Sequence, residues 1–280
     1  MRRWSLLVVA AVVLSCKKEE EVGTVVGPGL TVEIPDGGSR TRTGTSTVTS
    51  TVASTSTGTD AGQEAPFGPV SAEFVELGAS GFHTEHVACE QRIVALTKGK
   101  ASVLGETLAP GDVLVTQGTG GYDVKGDGLL VFAIARPFVC EPNQFTTINK
   151  HVFRAKAAPE VRWAGGKMLA HLDVEKDNAP FAYVGRLEGT AAVAEHAHDA
   201  SWEVLCAVEA SGTFTLDGKA QHLAGKTCVS VPPKAKHSWA PDAGSKLLAV
   251  QFYSPGGPEQ RFRTLAAQEA DGGVRADGGK

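Results

Sequence analysis

The sequence contains an internal repeat, which limits the chain to a fold that two similar units build in tandem. When Glu90 is aligned with Glu203, the two parts of the chain match at an offset of 113 residues. Each glutamate follows a histidine by seven residues and precedes a glycine by nine; the histidines are His83 and His196, and the glycines are Gly99 and Gly212. Two copies of one unit, near residues 67–140 and 165–255, are the economical interpretation.

Both units have the pattern of an all-β protein. Their apolar stretches are short and rich in Val, Leu and Ile, and turns at residues 110–112, 127–128 and 216–218 separate some of them. Several strands at this spacing favour a small β-sandwich or barrel over βαβ units. Helical segments are expected only around residues 146–156 and 259–267.

The composition excludes some classes of protein. The chain has 280 residues, 33 of them glycine and 14 proline, and a formal net charge of −4. That proportion of turn formers, with many Val and Thr residues, disfavours an all-α bundle. Nucleic acid is not an expected partner, because the slightly negative net charge provides no positive electrostatic field to attract it.

The N-terminus is typical of an exported protein. Arginines precede an apolar run at residues 6–14, which is too short to span a bilayer and predicts a cleaved signal. The Val-Leu-Ser-Cys sequence ending at Cys16 resembles the lipobox of bacterial lipoproteins, which implies that residues 1–15 are removed and Cys16 is lipidated. By the same resemblance, Lys17 favours an outer-membrane location in the bacterial cell envelope. The alternative is an ordinary secretory signal or a short membrane anchor with an incidental cysteine.

Residues 16–65 are predicted to form a disordered tether. Residues 41–59 are almost entirely Thr, Ser, Val and Gly, so little apolar surface is present to offset the entropy of ordering. At the other end, residues 266–280 contain two Asp-Gly-Gly clusters and are expected to fray.

Four cysteines remain if Cys16 carries lipid, and an exported chain can oxidise them. Because two lie in each unit, the expected pairs are Cys89–Cys140 and Cys206–Cys228. Free buried thiols are the alternative, since the sequence does not give the separation of the Cα atoms.

The second unit contains a candidate metal site. His196 and His198 are two residues apart, so in a strand both imidazoles project from one face. Glu203 would lie on the opposite face of an unbroken strand, but the turn-forming residues 199–201 can restore it to the same face. With His237 returning to the same interior, three imidazoles and one carboxylate would hold a divalent metal and leave room for water or substrate.

These residues resemble the two sequence motifs of the cupin superfamily, whose fold is a double-stranded β-helix or jelly-roll barrel. The matching residues are Gly189, His196, His198, Glu203, Gly212, Gly225, Pro232 and His237. The resemblance implies that His196, His198, Glu203 and His237 ligate one divalent transition metal, commonly Mn, Fe, Ni, Cu or Zn. The motif spacings are longer than usual, and Lys234 and Pro241 stand where glycine and asparagine are usual.

With both units, the resemblance implies a bicupin. Its barrels would cover residues 66–145 and 146–255, followed by a C-terminal segment and tail at residues 256–280. Many bicupins resemble a cupin dimer folded into one chain, so a monomer is expected.

The first unit departs further from the pattern. Its equivalent residues are His83, Glu85, Glu90 and Asp123, with His86 as a substitute ligand. This oxygen-rich set suits Mn, Mg or Ca better than Zn. The alternative is that the first barrel has lost its metal and serves as a scaffold.

Two functions fit the sequence. The first is a metal-dependent enzyme acting on a small polar molecule, of the dioxygenase, decarboxylase or isomerase type. The second is a non-enzymatic envelope module that binds a small anionic ligand or metal. Trp202 and Trp239 are candidates for the wall of a ligand pocket or for the core, and Arg261 for a contact with a carboxylate ligand or for a surface ion pair.

Overall fold

The computed structural model describes residues 68–87, 89–136, 147–174 and 182–270. The predicted signal peptide, the lipidation site Cys16, the tether and the last ten residues lie outside this part of the chain. Within it, none of the helices has the length and apolarity needed to cross a membrane.

The first barrel is built from one antiparallel sheet in the order β1-β6-β3-β5-β7, with β2 paired to β6 and β4 to β3. The long strands β3 and β6 pair from Gln91 to Val103. The strands are β1 (Ser71–Leu77), β2 (Phe82–His86), β3 (Gln91–Val103), β4 (Glu106–Leu108), β5 (Val113–Gln117), β6 (Gly120–Ala135) and β7 (Asn149–Phe153).

The helix expected around residues 146–156 is wrong. Strand β7 occupies the middle of this segment and pairs with β5, and only a single 3-10 turn follows at Ala155–Ala157. The backbone groups of β5 thereby gain partners on their second side, which the local pattern of the segment does not reveal.

The second barrel combines a six-stranded sheet, in the order β15-β12-β17-β10-β9-β8, with a four-stranded sheet in the order β11-β16-β13-β14. A C-terminal helix, α1 (Gln260–Ala270), follows the last strand, as expected from the sequence, but it includes residues 266–270, which were expected to fray. The strands are β8 (Glu160–Trp163), β9 (Met168–Val174), β10 (Tyr183–Gly189), β11 (Val193–His196), β12 (Trp202–Glu209), β13 (Ser211–Leu216), β14 (Lys219–Ala224), β15 (Thr227–Val231), β16 (His237–Pro241) and β17 (Leu247–Ser254).

The two barrels share an apolar core that lies between their sheets. Along β3, Val94 and Leu96 point into the first barrel, whereas Ile93 and Ala95 point towards the second. Strand β12 alternates in the same way, with Leu205 inside its own barrel and Val204 in the shared core. Burial of both faces explains why the apolar stretches of the repeat are continuous.

A disulfide joins Cys206 and Cys228 on neighbouring strands β12 and β15, where the two residues are directly opposite each other. Their Cα atoms are 3.9 Å apart, and both residues belong to the core between the barrels. The predicted pair is thus confirmed. Cys89 is also disulfide-bonded, but its predicted partner, Cys140, lies outside the described residues.

The glycines of the repeat mark close approaches between strands. A side chain at Gly99, which has a φ of +82°, would overlap the carbonyl oxygen of Asp127 on β6. A side chain at Gly212 would overlap the carbonyl oxygen of Ala240 on β16. Both units therefore need glycine for the same reason, which is contact between backbones.

Candidate metal centre

The structure brings together the four predicted ligands of the second barrel. His196 is the last residue of β11 and lies opposite His237, the first residue of β16. Glu203 belongs to β12. One ligand atom from each of these residues and from His198 lies within 4.8 Å of the others, so all four can contact one ion.

The strand carrying the histidines ends earlier than the sequence suggests. Strand β11 stops at His196, and β12 begins at Trp202, so His198 lies in the intervening loop. Lys234, with a φ of +68°, donates its backbone N–H to the carbonyl oxygen of His198 at 2.7 Å. This break in the strand allows His198 and Glu203 to face the same interior.

Backbone carbonyls fix the orientation of two imidazoles. Nδ1 of His196 donates to the carbonyl oxygen of Ala194 at 2.9 Å, and Nδ1 of His237 donates to that of Ala235 at 3.1 Å. Because a carbonyl only accepts, each Nδ1 carries the proton, and in the neutral ring Nε2 holds a lone pair. This is the tautomer in which an imidazole binds a metal through Nε2.

Glu203 is held between the imidazoles and an amide. Its Oε2 lies 3.0 Å from Nε2 of His198 and 2.9 Å from Nε2 of His237, and its Oε1 accepts from Nε2 of Gln251 at 2.6 Å. Nε2 of His237 is buried and makes no well-aligned hydrogen bond within the described structure. Its lone pair therefore faces a carboxylate oxygen, and a cation shared by the two atoms would remove that repulsion.

The pKa values of the site agree with a demand for positive charge at its centre. Burial alone would raise the pKa of Glu203, but the adjacent imidazoles of His198 and His237 outweigh burial and hold it well below its usual range. Burial alone would lower the pKa of His237, but Glu203 outweighs burial and raises it. Burial and the neighbouring His237 and Arg261 lower the pKa of His196 to about 4, which keeps that imidazole neutral.

The donors meet at the wall of a cavity of about 200 Å³ in the second barrel. Helix α1 covers one side of it, where Phe262 stacks on Trp163 of β8 with ring centroids 5.1 Å apart. Apart from the four donors, the lining is mainly apolar; it includes Trp163, Leu187, Val193, Leu205, Phe214, Trp239, Leu247, Tyr253, Phe262 and Leu265.

The structure decides between the alternatives for three other residues. Trp239 is buried and also lines the cavity, whereas Trp202 is not part of its lining. Arg261 lines the cavity and makes no surface ion pair within the described structure. Tyr253, which the sequence analysis did not single out, lines the cavity and packs its ring against that of His198, with centroids 5.1 Å apart.

The predicted ligands of the first barrel do not form a comparable site. His83 is exposed and its Nδ1 contacts Oδ1 of Asp123 at 2.7 Å, while the side chain of Glu85 is largely exposed. Glu90 is buried, and Arg92 and Arg136 bind its two oxygens. Among the described residues, the cluster in the second barrel is the only group of His, Cys, Asp and Glu positioned to hold a metal.

A shift of three residues between the sequence alignment and the structure explains this difference. In β2 the buried side chains are Thr84 and His86, so His83 and Glu85 face outwards. His86 ends β2 and lies opposite Gly120, just as His196 ends β11 and lies opposite His237. The substitute ligand His86 is thus the structural counterpart of His196, and a glycine replaces His237.

No known protein-family model matches the sequence, and no curated protein matches it. An IolB-like protein from Salmonella typhimurium LT2 has a similar structure, with a TM-score of 0.53, 15% identity, and coverage of 68% of this chain and 84% of that protein. An oxalate decarboxylase has a TM-score of 0.52 and 9% identity over 66% of this chain and 68% of its own. The structure of Bacillus subtilis oxalate decarboxylase at pH 4.6 has a TM-score of 0.50 and 11% identity, and the match covers 66% of this chain and 68% of that protein.

At this level of sequence identity, the similarity to these structures concerns the fold and does not indicate the activity of this protein. The similar structures have the cupin fold, and the described residues form two barrels of antiparallel strands with a His/Glu cluster in the second. The chain is an all-β protein with the bicupin fold, two tandem cupin barrels.

Proposed function

We propose that the second barrel binds one divalent transition metal through His196, His198, Glu203 and His237 and acts as a metal-dependent enzyme on a small molecule. The observation that carries the proposal is the buried Nε2 of His237, which faces Oε2 of Glu203 at 2.9 Å without a well-aligned hydrogen bond. Two further imidazoles lie beside it, and the cluster opens onto a cavity of about 200 Å³.

The donor set suits Mn, Fe, Ni, Cu or Zn, because imidazole and carboxylate together accept all of these ions. Four protein ligands leave one or two coordination positions for a substrate, and a metal bound there supplies Lewis-acid polarisation of a substrate oxygen. Gln251 holds the Glu203 carboxylate in place, and the carbonyls of Ala194 and Ala235 hold two imidazoles.

The proposed reaction is of the decarboxylase, dioxygenase or isomerase type. Two of the similar structures are oxalate decarboxylases, which favours a small carboxylic acid as substrate. The cavity is below the roughly 300–1,000 Å³ typical of sites for drug-sized ligands, so it suits a small molecule.

One observation favours a second candidate, a binding module without turnover. Apart from the four metal donors, the described cavity lining contains no His, Asp or Glu to act as general acid or base. Most reactions of the proposed classes need such a group. Under this alternative, the metal would hold a small anionic ligand at the cell envelope.

We further propose that Cys16 is lipidated and anchors the protein as a monomer to the envelope, on the outer membrane. The resemblance of residues 13–16 to a lipobox supports this proposal. Labelling of the full chain with a radioactive fatty acid tests it: Cys16→Ala should lose the label, and retention of the label would contradict the proposal.

Metal analysis of the full chain, purified without chelator, tests the metal site. The wild type should contain about one equivalent of transition metal, and His196→Ala and His237→Ala should lose it. The matched control is His222→Ala, because this exposed histidine of the same barrel pairs with Asp242 and not with the cluster. A wild-type chain without metal, or equal metal in wild type and His237→Ala, would contradict the proposal.

Turnover assays separate the two candidates. Oxygen uptake or CO₂ release from small carboxylic acids should disappear in His196→Ala and His237→Ala and persist in His222→Ala. Binding of the same acids without any conversion would favour the binding module instead.

A further inference from the structure

The cavity of the second barrel has polar groups in few places. The metal donors occupy one part of its wall, and Gln251 there already donates to Glu203. The lining residues that remain with a polar group in the side chain are Trp163, Ser238, Trp239, Tyr253 and Arg261. Of these five, only Arg261 carries a charge, so it is the feature of the lining most able to select a ligand.

Arg261 is a cation without a countercharge. The described part of the chain gives it no ion pair and no hydrogen bond, although it lines a mainly apolar cavity. Arg261 lines the same cavity as the four metal donors. A guanidinium in such a place gains most from a carboxylate, which it can bind with two parallel hydrogen bonds.

The helix that carries Arg261 is fixed to the barrel at both ends. Near its start, Phe262 is buried and stacks on Trp163. Near its end, the carboxylate of Glu269 accepts the backbone N–H groups of Ala164 and Gly165. Because α1 is held in this way, Arg261 is placed at the cavity before any ligand arrives, which reduces the entropy lost on binding.

From this arrangement we propose that Arg261 is the anion-binding residue of the site and that the ligand is a small monocarboxylate with an apolar body. The carboxylate binds Arg261, the body lies against side chains such as Leu187, Leu205 and Phe214, and a second oxygen of the ligand is turned to the His/Glu cluster. This inference rests on the proposed function and narrows its substrate class to acids such as branched 2-oxo acids.

The lining also disfavours other acids. A dicarboxylate would bring a second negative charge for which the described lining has no second cation other than the metal. A sugar acid would bury several hydroxyl groups against apolar walls without partners, each at a cost of about 1–3 kcal/mol. One charge and an apolar body match the cavity better.

Calorimetric titration of the metal-loaded full chain tests the inference with three probes. They are 4-methyl-2-oxopentanoate, its neutral analogue 5-methyl-2,3-hexanedione, and oxalate. Arg261→Gln should weaken binding of the 2-oxo acid about 10- to 100-fold, since it removes a charged hydrogen-bonding partner. Binding of the neutral diketone should change little, and oxalate should bind the wild type more weakly than the 2-oxo acid does.

Arg263→Gln is the matched control, because it removes the same charge from the same helix outside the cavity lining. It should leave binding of the 2-oxo acid unchanged, and Arg261→Lys should retain part of the affinity. Equal affinity in wild type and Arg261→Gln, equal losses in the two glutamine variants, or tighter binding of oxalate would each overturn the inference.

Metal content measured on the same samples distinguishes a failure of the proposed function from a failure of the inference on Arg261. Binding that depends on Arg261 in a wild-type chain that takes up no metal would defeat the proposed function and leave this inference standing. Normal metal uptake with no dependence on Arg261 would defeat only the inference.

Discussion

The two barrels bury a glutamate at the same point of the repeat but neutralise it differently. Glu203 lies among three imidazoles, whereas Arg92 and Arg136 bind the two oxygens of Glu90. A carboxylate removed from water needs a cation or strong donors. In the first barrel the cation is an arginine side chain, whereas the second barrel has a group of side chains that could hold a metal ion.

The difference between the two barrels can be traced to the position of Arg92. At the repeat offset, Arg92 corresponds to Leu205, which lines the cavity of the second barrel. In the first barrel the guanidinium turns back to Glu90 and also donates to the hydroxyl of Thr84. At this one position, the first barrel therefore has an arginine that fills the space beside the buried glutamate, where the second barrel has a leucine that lines the cavity.

The largest expected effect comes from removing that built-in cation. Arg92→Leu introduces the leucine that the second barrel has at the equivalent position, Leu205. It leaves the buried Glu90 paired only with Arg136, whose side chain is more exposed than that of Arg92. We expect a loss of about 3–5 kcal/mol in the free energy of unfolding, measured by chemical denaturation, because one partner of a buried ion pair is removed.

Arg162→Leu is the control for this change. Arg162 pairs with Glu160 at the same spacing of two residues, but both side chains are exposed, so its loss should cost at most about 1 kcal/mol. The additional change Glu90→Gln should restore part of the stability of Arg92→Leu. If the two arginine variants were equally stable, the contrast between the barrels would not depend on the buried charge.

A smaller effect is expected from His86, the counterpart of His196. Burial, followed by the nearby positive charge of Arg92, lowers the pKa of His86 to about 4, although Glu90 opposes the shift. The unfolded chain takes up this proton near pH 6.5 and the folded chain does not, so stability is lost as the pH falls from about 6.5 to about 4. The loss should be on the order of 3 kcal/mol.

Unfolding measured across this pH range should show a shallower loss of stability in His86→Gln than in the wild type. Glutamine keeps a polar group near the hydroxyl of Thr116, which lies 2.6 Å from Nε2 of His86, and it does not titrate. The same dependence on pH in both proteins would show that His86 is not held neutral in the first barrel.

The smallest effect is expected at Lys234, next to the His/Glu cluster. Its φ of +68° is costly for any residue with a Cβ atom and free for glycine. Lys234→Gly should raise the free energy of unfolding by up to about 1 kcal/mol and leave the proposed metal uptake unchanged, since its backbone N–H still binds the carbonyl oxygen of His198. Lys219→Gly, within strand β14, should lower it instead. A loss of stability in Lys234→Gly would contradict this reading of the turn.

Much of the fold and of the site followed from local patterns. Short apolar runs between turns predicted the all-β architecture, and the histidine and glutamate pattern predicted the cluster that the structure brings together. In the first unit, alignment by sequence pairs His83 with His196, whereas in the structure His86 is the counterpart of His196. This difference of three residues is odd, so it moves the side chain to the other face of the strand, and His86 is the inward one.

Other features depend on contacts between distant segments. Strand β7 forms because β5 offers an edge to pair with, and Arg261 reaches the cavity because Trp163 and Glu269 fix the C-terminal helix. The sequence by itself determined the repeated barrel and the chemistry of its four donors, since strand periodicity and residue type are local properties. Only the tertiary structure decided which buried glutamate meets arginine and which meets imidazole, because that choice depends on side chains brought from separate strands into one interior.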